Sequence, residues 1–149
     1  MTKNALLNYT TTIDTDKTVS QITAILVAHG AQSILAQYDG GRVVAIAFQV
    51  KRGDGHLSIK LPADPDAVQK VLNRQHMKGK VMRRHTTLEH AERVAWRIVK
   101  DWVEVQMAML ETEQVKMEQI FLAYVIAPDG RTLFQYVEDR NLLLTEGKG

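Results

Sequence analysis

The chain contains no cysteine. Disulfide staples, thiolate metal centres and cysteine nucleophiles are therefore excluded. Proline occurs only three times, and neither an interdomain linker nor an internal repeat is visible. No apolar run approaches the length that spans a bilayer. The first twelve residues, MTKNALLNYTTT, carry one lysine and the short apolar run Ala5-Leu6-Leu7, which is not the pattern of a signal peptide. The glycosylation-type triplet Asn8-Tyr9-Thr10 accordingly reads as chance, and a cytoplasmic location is expected. Catalytic signatures are missing as well. There is no HExxH pair, no GxSxG elbow, and no glycine-rich loop that leads into a helix.

What is present suits an ordered domain. The 149 residues are 45% apolar, enough for a substantial core without staples. Residues 9–13 are rich in threonine and aromatic character and read as a strand. Asp14 or Asp16 then caps a helix whose apolar positions Val19, Ile22 and Leu26 recur at helical spacing, with Gly30 as its left-handed stop. Strand-like runs follow at 33–38, 42–51 and 56–61, joined by Asp39-Gly40-Gly41 and Gly53-Asp54-Gly55. An antiparallel meander results. Pro62 ends it, and Asp64-Pro65 starts a helix over 66–74.

Residues 75–85 lack apolar periodicity and read as a mobile loop, or one that orders on binding. Thr86-x-x-Glu89 has the form of a capping box. The helix after it carries two apolar stripes. Leu88, Ala91, Ala95, Ile98, Trp102, Val105 and Met109 form one, and Trp96, Val99, Val103 and Leu110 the other. Such a helix is either the centre of the fold or half core and half subunit interface, so a homo-oligomer is expected. A second helix is expected over 115–125 and a turn at Pro128-Asp129-Gly130. Residues 133–137 fit a strand or a helical turn, and 145–149 should fray. The expectation is one α+β domain over 1–149. It combines an antiparallel sheet of three to four strands and an N-terminal helix (about 9–74), a basic loop (about 75–85) and a helical part with one long helix (about 86–144).

Several segments carry a likeness. They are Tyr9-Thr10-Thr11-Thr12, Ala28-His29-Gly30-Ala31, Arg42-Val43-Val44-Ala45, Leu61-Pro62-Ala63, the tract AERVAWRIVKDWVE at 91–104, and Ile120-Phe121-Leu122-Ala123-Tyr124. Together they resemble a family of small, mostly uncharacterised proteins encoded by bacteriophages and prophages. The resemblance implies a phage protein acting in a bacterial host. It implies no reaction and assigns no site residue.

The net charge of +2 is unevenly spread. Between positions 74 and 84 stand five basic residues, Arg74, Lys78, Lys80, Arg83 and Arg84, and no acidic one. Arg93, Arg97 and Lys100 continue the basic run on the long helix. Arginine forks grip phosphate oxygens in pairs, and lysine adds point charge. The candidate ligand-binding set is therefore Arg74, Lys78, Lys80, Arg83, Arg84, Arg93 and Arg97, with Trp96 as a stacking face for a base. Against this stands an ordinary solvated surface, with Trp96 packed in the core. Five acidic residues and one lysine between 101 and 118 would suit a protein partner instead. His85 and His90 are badly spaced for sharing an ion, and no metal, cofactor or catalytic residue is assigned. The sequence thus points first to a non-enzymatic binder of a phosphate-rich ligand, a nucleotide signal or a nucleic acid, with counter-defence as the role the phage likeness adds. The alternatives are an inhibitor directed at a host complex and a small nuclease or hydrolase.

Overall fold

The computed structural model describes residues 4–140. Its elements run helix α1 (Thr15–Ala28), strands β1 (Ala31–Asp39), β2 (Arg42–Arg52) and β3 (Gly55–Lys60), helices α2 (Pro65–Met77) and α3 (Leu88–Glu111), then short helices α4 (Met117–Ile120) and α5 (Leu133–Asp139). The strands form an antiparallel sheet in the order β1-β2-β3. Gly40 and Gly41, at φ 58° and 79°, give the first hairpin the left-handed pair that matches strand twist. The expected three strands are there, and so is the α+β architecture with one long helix.

One sheet face is apolar because β2 alternates. Val43, Ile46, Phe48 and Val50 point to the helices, joined by Ile59 of β3 and Ile34 of β1. Ile22 and Leu26 of α1 and Trp96, Val99, Val103 and Met107 of α3 close over them. Phe121 seals the far end, edge-on to Phe48 at 5.6 Å and to Trp102 at 5.4 Å.

The other flank of α3 has its own cover. Ala91 and Val94 pack with Leu72 of α2 and with Val81, joined by Ala5, Leu6 and Tyr9 of the N-terminal arm. α3 is thus the central helix, and both of its apolar stripes find neighbours within one chain. Most of the apolar surface that suggested a second subunit on α3 is thus covered. Two stripe members, Leu88 and Val105, are exposed.

Several sequence expectations need correction. Residues 9–13 are not a strand. The chain turns there, with Tyr9 N donating to Leu6 O at 3.1 Å and Thr11 N to Asn8 O at 3.0 Å. Asn8, just before this stretch, sits at φ 64° and turns the chain into it. Residues 75–85 are not all loop. α2 runs on to Met77 and ends with Gly79 at φ 73°, where Gly79 N bonds His76 O and Lys80 N bonds Gln75 O. Val81 is then buried, and Arg83–His85 make one 3-10 turn.

The cap of α3 is Thr87, whose hydroxyl accepts from His90 N at 3.1 Å, while Thr86 donates back to Arg83 O. The helix expected over 115–125 is broken into α4 and a 3-10 turn at Leu122–Tyr124. Residues 133–137 are helical, as part of α5. The expected fraying of 145–149 lies outside the described residues.

Candidate functional site

The arm at 5–12 is short, but it is pinned to two helices. Leu6 N donates to Gln75 Oε1 of α2 at 3.0 Å, and Asn8 Nδ2 donates to Asp101 Oδ2 of α3 at 2.8 Å. His90 Nε2 donates to Tyr9 O. A carbonyl accepts only, so Nε2 of His90 carries a proton in this bond. The arm therefore carries Thr10, Thr11 and Thr12 to the start of α3. There they meet Arg84 and His85 from the 3-10 turn and His90 and Arg93 from α3, around a recess of about 510 Å³.

This recess offers donors and little else. Thr10 and Thr12 are exposed, and Thr11 Oγ1 already accepts from Ile13 N at 3.2 Å, which leaves its hydroxyl proton to donate. Arg84 is exposed and makes no ion pair among the described residues. Arg93 is oriented by Glu89 at 2.9 Å and lies 3.7 Å from Asp14. His85 stacks beside His90, and Tyr9 meets it edge-on at 5.6 Å. Its Nδ1 is buried and has no hydrogen-bond partner among the described residues. Burial, chiefly, and then the charges of His90 and Arg84 hold the His85 pKa below its ordinary value, so His85 is neutral at pH 7.

A larger cavity, about 720 Å³, adjoins it and shares Arg93. Its lining sets Asp14, Asp16, Glu89 and Glu92 against Lys17, Arg42 and Arg93. Four carboxylates oppose an anion there. Glu92 is buried and paired with Arg42 of β2, so this charge is committed to joining α3 to the sheet.

The residues singled out by sequence divide. Arg84 and Arg93 enter the recess, while Arg74, Lys78 and Arg83 are exposed outside its lining and Lys80 is half-buried. Arg97 turns away, donating from Nη1 to Gln21 of α1, and Lys100 pairs with Glu104 and Asp101. Trp96 offers no stacking face. It is 0% exposed in the main core, and its indole N–H has no partner among the described residues. Sequence reasoning missed Thr10, Thr11, Thr12 and His90. The threonine run was visible, but its β-propensity pointed to a strand rather than to a row of hydroxyls. Among the described residues no three histidine, aspartate or glutamate side chains gather to hold a metal ion, and no helix is long and apolar enough to cross a membrane.

Comparison of the chain with protein-family models, with curated proteins and with solved structures found no match.

Proposed function

We propose that this protein is a non-enzymatic binder of a phosphate-bearing ligand, a nucleotide or a nucleic acid, held in the threonine recess. One observation carries the reading. Two guanidiniums, of Arg84 and Arg93, and three consecutive threonines share a single recess with no carboxylate among the described residues that line it. A phosphate oxygen there accepts charge-assisted bonds from arginine and neutral ones from hydroxyls. The charged ones are worth about 1.5–3 kcal/mol each. Arg83, Arg74 and Lys78, exposed nearby in the chain, add a diffuse positive field that steers an anion in. The phage and counter-defence context belongs to this proposal and rests on the resemblance of sequence segments.

A second reading has its own support. Met77 is 85% exposed and Met82 59%, on either side of Lys78 and Lys80. Exposed methionines on a basic turn suit a protein surface, such as that of a host complex.

Fluorescence anisotropy separates the two. Labelled single-stranded DNA, duplex DNA and a nucleotide are titrated with the protein over a range of salt. The ligand reading expects saturable binding to at least one of them, lost in Arg84→Glu. For DNA it also expects a log–log salt slope that falls by about one unit per phosphate contact removed. No binding to any of the three, with a host protein captured through Met77 and Met82, would replace it with the second reading.

A further inference from the structure

The two edges of the sheet are treated differently. At β3 the edge is closed by the chain itself. Ile59 bridges Val125, and Ile126 N donates to Ser58 O at 2.8 Å. At β1 no described backbone group bonds the outer edge. Exposed edges are normally blunted by proline, lysine or inward-pointing charge. The β1 sequence, AQSILAQYD, has none of these and is uncharged until Asp39. Its two register irregularities fall at its ends, between Ala31 and Ser33 and between Gln37 and Tyr38, which leaves 33–37 regular.

We propose that the free edge of β1 pairs with β1 of a second copy of this chain, antiparallel and centred on Leu35, joining the two sheets into one. A two-fold axis normal to the sheet keeps each residue on its own face, and only a few registers are then open. The one centred on Leu35 fits the whole regular stretch 33–37. Leu35, 61% exposed, meets its own copy. Ser33 meets Gln37 as a polar pair on the same open face. On the core face the larger Ile34 meets the smaller Ala36. Asp39, the sole charge, lies beyond that stretch and far from its own copy, so no like charges are opposed. Shifting the centre to Ile34 or Ala36 sets Leu35 against Ser33 or Gln37 and crowds or empties the core side.

The flank agrees. α1 packs against β1, and in its second half the exposed residues Ala24, Val27 and Ala28 are small and uncharged, its exposed charges Asp16 and Lys17 lying in the first turn. The surface is distinct from both α3 and the threonine recess.

The chain has no cysteine, so one introduced thiol reports the register cleanly. Residues directly opposite in an antiparallel pair have Cα atoms about 4.5–5.5 Å apart, within disulfide reach. Light scattering at micromolar concentration should give the mass of a dimer for the wild type. Leu35→Lys, which sets two ammoniums against each other across the axis, should give a monomer with unchanged circular dichroism. Under mild oxidation Leu35→Cys should cross-link with itself. Ser33→Cys should not do so alone, but should when mixed with Gln37→Cys. A monomeric wild type overturns the proposal. So does a dimer that survives Leu35→Lys, which would place the contact elsewhere, and so does a Ser33→Cys chain that links to itself as readily as Leu35→Cys.

Discussion

The imidazole rings of His85 and His90 lie 4.8 Å apart, centroid to centroid, on the lining of the threonine recess. His90 is committed to the arm through Tyr9 O, and His85 is the ring left without a partner at Nδ1. His29 is its opposite. Both of its nitrogens face oxygens, Ile25 O at 2.8 Å and Glu111 Oε1 at 2.7 Å, and only the imidazolium donates to both.

The two rings should titrate on opposite sides of the ordinary value of 6.5, His85 below it and His29 above, the latter raised mainly by the Glu111 hydrogen bond. Two-dimensional NMR of the ring protons reads this directly. The signs for stability follow by linkage. His85 favours the fold above 6.5, and that contribution is lost as pH falls through its lowered folded value. His29 favours the fold below 6.5, and its contribution is lost as pH rises through its raised value. In denaturant titrations His85→Gln should therefore flatten the loss of stability toward about pH 5, and His29→Gln the loss above neutrality. Equal slopes in wild type and both variants would contradict the assignments.

Trp96 fills the centre of the main core, so Trp96→Ala should cost about 3–5 kcal/mol. Trp96→Phe should cost clearly less. It leaves a smaller cavity and removes an indole N–H that has no partner. Trp102, half-buried against Phe121 and Tyr124, should tolerate the change to alanine better than Trp96. Urea midpoints at constant slope decide the order.

Arg42 and Glu92 couple the sheet to α3, with the carboxylate buried and the guanidinium 45% exposed. Exposure of the arginine reduces the value of the pair below that of a fully buried bridge. Arg42→Ala should cost about 1–2 kcal/mol, since it strands the Glu92 carboxylate. Adding Glu92→Gln should recover part of that loss. A double-mutant cycle with a coupling energy near zero would show that the pair does not join the layers.

Much of this fold was legible in the sequence, for local reasons. The alternation in 42–51, the glycine pair at 40–41, Asp64 before Pro65 and the double stripe of α3 each encode an element within a few residues. The failures share a different cause. Tyr9 to Thr12 have strand-forming side chains, yet Asn8, Leu6 and Tyr9 are held in a turn by Asp101, Gln75 and His90, far along the chain. Residues 75–85 read as a loop because the contacts that order them, among them buried Val81 and the bond between His76 Nδ1 and Val81 O, follow no apolar periodicity. Trp96 stands between arginines in sequence and points away from them in space. The recess itself joins residues 10–12 to residues 84–93, so no spacing motif marks it.

The central claim is that the threonine recess holds phosphate, and the most direct test is thermal unfolding with added inorganic phosphate. A ligand that binds only the folded state at about tenfold above its Kd adds roughly 1.4 kcal/mol, or about 3–6 °C for a domain of this size. Phosphate also stabilises proteins by exclusion from their surface, so the quantity to read is the difference from Arg84→Glu, an exposed site whose replacement leaves the core untouched. Wild type should rise and saturate with phosphate, while Arg84→Glu should show only the shallow, unsaturating drift. Identical curves for the two proteins would contradict the assignment of the site.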